Sequence, residues 1–178
     1  MDFNFWTVKF WSDIGYSLGS GRYLVRKLVS LADIKNTHII VELWAWEWPV
    51  TQKILSEKSP DTRFIVIEND HESFLRLQEK FGDSCEIYEM SAAHLRTILE
   101  DNSVDVVIST LPLGSISQEG VLHILQSAQS VLKVGWKFIQ YQYALQNLKD
   151  VKKYFTVDCI FLEPRNFWPA FIYKTHKK

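Results

Sequence analysis

The sequence predicts an α/β fold, with one mostly parallel sheet of seven strands, helices on both faces and an antiparallel hairpin at the C-terminal end. Three observations predict it. Short apolar runs alternate with stretches of helical period from residue 38 to residue 143, the order that parallel strands and crossover helices produce. Two strand-like runs, 156–162 and 170–174, then follow each other across a short turn around Pro164, Arg165 and Asn166, which reads as a hairpin. Finally, 178 residues at 47% apolar and 23% charged suit one globular core.

The elements are justified in chain order. Over residues 1–13 a helical wheel gathers Phe3, Trp6, Phe10 and Ile14 on one face, with Trp11 at its margin and Asp2, Lys9 and Asp13 opposite. Such a helix suits either a membrane interface or a place against the core, and its polar face is poor in basic residues. A helix over 21–31 carries Arg22, Arg26 and Lys27, which could supply that charge. Residues 1–35 therefore read as an N-terminal helical segment contacting membrane or substrate, ahead of a core over 36–178.

The run 38–43 is a buried strand, and Pro49, tolerated in a first helical turn, opens a helix to residue 57. A strand over 63–68 precedes a helix over 71–81 with Phe74, Leu75 and Leu77 on one side. Strands over 85–88 and 104–109 flank a helix over 92–99. A helix over 118–132 stops at Gly135, and 137–143 resumes as strand.

Composition excludes several classes. A net charge of -1 gives no whole-molecule field for nucleic acid, and the tail residues Lys174, His176, Lys177 and Lys178 read as solvated. Cys85 and Cys159 lack CxxC spacing and read as reduced core thiols, so no metal site is expected. No apolar run approaches the ~18 residues that span a bilayer, and the N-terminus lacks signal-peptide features. The expected location is the cytoplasm, peripheral on the cytoplasmic membrane.

In doubly wound sheets the ligand lies beyond the carboxyl ends of the strands, where strand order reverses. The loop 43–48 occupies that place, and Glu68, at the next strand end, is positioned to accept hydrogen bonds from ribose hydroxyls. A glycine-rich turn normally lets backbone N–H groups approach a ligand there. Here the loop is Leu43-Trp44-Ala45-Trp46-Glu47-Trp48.

These residues resemble a known family. Val41-Glu42-Leu43-x-Ala45-x-Glu47-x-Pro49-Val50-Thr51 is similar to the first motif of class I S-adenosylmethionine-dependent methyltransferases, E-L-G-A-G-x-G-P-V-T, with Trp44, Trp46 and Trp48 on its three glycines. The similarity is greatest to bacterial phospholipid N-methyltransferases, relatives of the ribosomal RNA adenine dimethyltransferases. Residues 14–24 resemble their opening segment G-x-x-x-P-S-S-x-x-L without its proline, and Ile108-Ser109-Thr110-Leu111-Pro112-Leu113 resembles their I-S-x-L-P-L motif. The segments 138–143 and 166–173 resemble F-x-Q-x-x-Y and N-x-P-P-A-x-x-Y. The resemblance implies a Rossmann-like methyltransferase fold and S-adenosyl-L-methionine as cofactor.

It also implies roles. Glu42 supports the methionine end of the cofactor, Glu68 with Asn69 the ribose, and Ser91 with Ala92 the adenine edge, although many relatives carry Asp at the position of Ser91. Ala45, the three loop tryptophans, Ser109 and Leu111 complete the cofactor contacts. Tyr16, Pro112, Tyr141 and Tyr143 are substrate candidates, with a core role competing for each tyrosine. No general base is identifiable. Enzymes of adenine amines carry an N/D-x-P-Y/F motif, and Ser109-Thr110-Leu111-Pro112-Leu113 lacks both its amide or acid and its aromatic, so a flipped base is poorly served. The implied reaction is methyl transfer to the amine of phosphatidylethanolamine at a phospholipid membrane surface, with no nucleic acid partner favoured. The alternatives are an RNA or small-molecule methyltransferase, and a non-catalytic protein if the tryptophans are genuine.

Three readings of the tryptophans compete: an aromatic packing stripe at strand period, a lost cofactor site, or glycines mistranslated on paper. Trp136 also falls on a family glycine, the second of an L-x-x-G-G-x-F turn. Some lineages read UGA as glycine, and translating it as tryptophan makes this replacement alone. Glycine is scarce, 7 of 178, while tryptophan is equally frequent at 7, and four restored glycines would approach the usual ~7%.

Overall fold

The computed structural model describes residues 21–45, 48–166 and 169–178. The helix expected over 1–13, Tyr16 and Trp46 lie outside them. Seven strands form one sheet: β1 (Ile39–Leu43), β2 (Arg63–Glu68), β3 (Glu86–Glu89), β4 (Val104–Ser109), β5 (Leu132–Gln142), β6 (Phe155–Glu163) and β7 (Ala170–Lys177). Their order is β3-β2-β1-β4-β5-β7-β6. The first five strands run parallel, and β7 joins β5 and β6 antiparallel. Strand order reverses between β1 and β4, so their carboxyl ends open the crevice in which such sheets bind ligands.

Two apolar layers cover the sheet. On one face α1 (Gly21–Ala32) buries Leu24, Val25, Leu28, Val29 and Ala32 and leaves Arg22 and Arg26 exposed. It shares a core with α2 (Pro49–Glu57), α3 (His71–Phe81) and the strand residues Ile40, Val66, Ile108 and Ile139. The other face carries Val41, Leu43, Val107 and Phe138 beneath α4 (Gln118–Val131) and α5 (Leu148–Tyr154). Phe138 stacks on Phe155 there, with ring centroids 4.5 Å apart.

Several expectations are corrected. Residues 92–99 form not an α-helix but a 3-10 segment, Ala92–Thr97, broken at His94 by φ -116 and ψ 23. Leu75 is 51% exposed, and α3 buries Ser73, Leu77 and Phe81 instead. The helix before Gly135 ends at Val131, and β5 begins at once; Gly135 lies inside that strand with φ 77, near a register break against β4. Helix α5 has no counterpart in the sequence reading. The supposedly free tail is strand: His176 pairs with Asp158 at 2.6 Å and Lys177 donates to Asn102 at 2.8 Å. Cys85 and Cys159 are free, half-buried thiols.

Candidate active site

The open end of the sheet is stitched together by backbone. Trp44 N–H donates to the Ile67 carbonyl at 2.8 Å, and Thr110 N–H donates to the Leu43 carbonyl at 3.1 Å. The Thr110 hydroxyl donates to the Leu43 and Trp44 carbonyls. The loop after β1 is thus tied to the ends of β2 and β4, the strands on either side.

Within this loop Trp44 has φ 66 and Trp48 has φ 72. Among the described residues the other non-glycine positions with positive φ are Asp33 and Asn102, types that visit this region routinely. Tryptophan does not, and left-handed geometry costs an L-residue with a Cβ about 1–2 kcal/mol. Trp48 sits at the N-cap of α2 with no side-chain cap bond, and Pro49 follows it. The glycine conformation expected from the motif is therefore present at positions 44 and 48. It is absent at position 136, where the left-handed residue is the preceding Gly135. The packing-stripe reading fails because β1 stops at Leu43. The Trp48 indole meets Phe81 edge-on at 6.3 Å and lies 3.9 Å from Lys80 Nζ, so it packs on α3.

Two buried acids lie beside the loop. Glu42, 1% exposed, accepts the Thr51 hydroxyl at 2.8 Å beneath the first turn of α2. Burial pushes its carboxyl up to about 8; the Thr51 hydrogen bond opposes the rise and the Glu68 charge adds to it. Glu68 is equally buried, and its Oε1 accepts the N–H groups of Asn69 at 2.8 Å and Asp70 at 3.0 Å. Its Oε2 has no hydrogen-bond partner among the described residues. Burial raises its pKa against those two N–H groups. Ser91 caps the 3-10 segment, its hydroxyl accepting Ala93 N–H at 3.3 Å, and Ala92 is buried in the core.

On the β4 side, Ser109 is fully buried opposite Gln140 in register, and among the described residues neither the Ser109 hydroxyl nor Gln140 Oε1 has a hydrogen-bond partner. Gln140 and Gln142 both donate their amide N–H to the Leu111 carbonyl, at 3.0 and 2.7 Å. Pro112 follows with φ -77 and leads into a 3-10 turn, Leu113–Ser115. At the carboxyl end of β5, Tyr141 is 7% exposed, and Tyr143, just past the strand, is 48% exposed. Their rings meet edge-to-face at 5.7 Å and 81°. They wall a shallow, open depression with Leu24, Leu28, Val50 and Asn166. Val50, in the first turn of α2, joins that depression to the loop.

No protein-family profile matches the chain. A curated relative, the ornithine lipid N-methyltransferase of Singulisphaera acidiphila, is 28% identical over 160 residues, covering 86% of this chain and 83% of that one. Among solved structures, the N-methyltransferase NodS of Bradyrhizobium japonicum with S-adenosyl-L-homocysteine superposes with a TM-score of 0.75 at 9% identity, over 89% of this chain and 88% of that one. TrmN of Thermus thermophilus gives 0.71 at 16% identity over 87% of this chain, which spans 48% of TrmN. The chain has the fold of S-adenosylmethionine-dependent methyltransferases, and its curated relative is a lipid N-methyltransferase.

The described residues fit S-adenosylmethionine at one point above all. A fully buried carboxylate oxygen with no partner is costly unless something donates to it, and Glu68 Oε2 stands at a strand end where a ribose hydroxyl would do so. The two backbone N–H bonds on Oε1 fix the carboxyl so that Oε2 is the free oxygen. What the sequence reading missed is the pair Gln140 and Gln142. Residues two apart on a strand share a face, and that spacing was the available signal.

Proposed function

We propose that this methyltransferase methylates the amine of a membrane aminolipid, with the phosphatidylethanolamine headgroup as its acceptor, at the cytoplasmic face of the membrane. The observation that carries this reading is the Leu111 carbonyl. A carbonyl oxygen has two acceptor sites, and this one already takes the Leu113 N–H at 2.9 Å besides Gln140 and Gln142, leaving none for the exocyclic amine of a base. The apolar depression beside Tyr141 and Tyr143 suits a lipid amine, and the relative named for ornithine lipid points the same way. Among the described residues no helix is long and apolar enough to cross a membrane, so a surface-bound enzyme is the form this reading takes.

Bound S-adenosylmethionine supplies an already activated methyl group. The chain's own task is chiefly to place a neutral amine in line with it. Glu68 would hold the ribose end, and the N–H groups that open α2 would face the cofactor's charged tail. The Tyr141 and Tyr143 rings form the wall on which the amine and its cationic product rest. The left-handed backbone at 44 and 48 supports the further reading that this loop works with glycine at 44, 46 and 48.

Incubating the W44G/W46G/W48G variant with methyl-labelled S-adenosylmethionine, phosphatidylethanolamine vesicles and, separately, RNA tests the proposal. Label is expected in the lipid fraction, and label confined to RNA would sink the lipid assignment.

A further inference from the structure

Next in sequence to Asn166, which lines the Tyr141–Tyr143 depression, one guanidinium is held on two sides. Glu163, 3% exposed, accepts Arg165 Nε at 2.7 Å on Oε1 and Arg165 Nη2 at 2.7 Å on Oε2, and Oε1 also takes the Arg165 backbone N–H at 3.1 Å. The same guanidinium lies over the Tyr23 ring, 4.4 Å from its centroid. Its side chain nevertheless remains 60% exposed. A fork fixed through the Nε and Nη2 edge presents its Nη1 edge outward, in the planar geometry that matches carboxylate and phosphate oxygens.

Position ties this group to the acceptor site. Asn166, the next residue, lines the depression and donates to the Tyr143 hydroxyl at 3.5 Å; Gly21, two residues before Tyr23, lines it too. The charge around it is one-sided. Arg22 also lies over Tyr23, at 4.9 Å, Lys27 lies over Phe161 at 4.4 Å, and Arg26 is exposed on the same helix. Among the described residues, Arg165, Arg22 and Lys27 thus gather around Tyr23 and Phe161 near one acid, Glu163, in a chain whose net charge is -1. A rim of that sign repels a bare ammonium and attracts an amine that carries an anion nearby.

We propose that Arg165, fixed by Glu163 and Tyr23, binds the anionic group of a zwitterionic acceptor and so sets the substrate class: lipids bearing an amine a few bonds from a phosphate or carboxylate. This rests on the lipid-amine reading above. The anion docks on the outer guanidinium edge, and the amine then reaches the tyrosine wall.

The test uses the W44G/W46G/W48G variant and its R165Q and R165K derivatives in neutral-detergent micelles. The micelles are doped with phosphatidylethanolamine, with an ornithine lipid whose anion is a carboxylate, or with a long-chain primary alkylamine without an anion. R165Q is expected to raise KM for at least one anion-bearing lipid tenfold or more, with kcat within twofold and the alkylamine unchanged. R165K is expected to fall between. Whether the phosphate lipid, the carboxylate lipid or both respond identifies the anion. An equal rise for all three amines, or a fall in kcat alone, would show that Arg165 merely holds the turn and would overturn the proposal. Micelle binding measured without turnover gives the same comparison. A tenfold weaker binding of R165Q to anion-bearing micelles supports the contact even if no lipid is methylated, and unchanged binding removes it. Failure at Arg165 is thereby separated from failure of the lipid reading.

Discussion

Replacing Trp44, Trp46 and Trp48 together by glycine is expected to raise affinity for S-adenosylhomocysteine at least tenfold over the sequence as written, read by calorimetry. A tenfold gain corresponds to about 1.4 kcal/mol. Positions 44 and 48 hold φ 66 and 72, a backbone that glycine keeps without the ~1–2 kcal/mol that an L-residue with a Cβ pays at each, in the free and the bound chain alike. Removing the side chains bares the loop backbone, so that N–H groups can approach a ligand. Stability is expected to move little, because the loss of the Trp48 contacts with Phe81 and Lys80 and the greater freedom of glycine in the unfolded chain offset the relief. W136G is the control. Residue 136 sits near the opposite end of β5, away from the carboxyl edge, and its backbone is not left-handed, so affinity should not change. Equal affinity for the triple variant and the parent would remove the loop from the cofactor site.

The largest expected stability effect belongs to Glu42. Its pKa rises from an ordinary 4.5 to about 8 on folding, so the folded chain keeps a proton that the unfolded chain releases. The contribution is fully present below about pH 4.5, declines as pH rises, and is exhausted above about pH 8. Across that window stability falls by about 1.4 kcal/mol per pH unit at most. Glu68, whose pKa is also raised, adds in the same direction. Carboxylates held low by partners act oppositely and at lower pH, among them Glu86 beside Arg63 and Glu163 beside Arg165. Glu42→Gln keeps an acceptor for the Thr51 hydroxyl and removes the charge. Chemical denaturation at pH 5, 6, 7 and 8 should show the parent losing stability steadily and the variant losing far less; parallel curves would contradict the protonated state of Glu42.

Much of this was legible in the sequence because period and punctuation were unambiguous. The runs at 63–68 and 104–109 match β2 and β4 to the residue. Helix α3 begins where Asp70 accepts the Ser73 N–H at 2.9 Å, an N-cap that sequence alone advertises. Glu68 was legible because an acid at a strand end, one crossover beyond a turn, has few other uses. What was lost depends on tertiary context. Helix α5 has only seven residues, too few for a helical period to show, and a kink at His94 turned an expected helix into 3-10 turns. The roles of Gln140 and Gln142 arise from Leu111, 29 and 31 residues away, and that of Arg165 from Tyr23 on α1; the alternate spacing of the glutamines announces a shared face but not the partner. The tryptophans were legible as an anomaly, and their φ angles then separated positions 44 and 48 from position 136.

A loop after β1 that is built for glycine should carry glycine in the cell, and the mass of the tryptic peptide over residues 36–53, bounded by Lys35 and Lys53, reads this from the protein as its own cell makes it. The expected peptide has glycine at positions 44, 46 and 48. A peptide carrying tryptophan at all three would show that the loop is not a glycine loop.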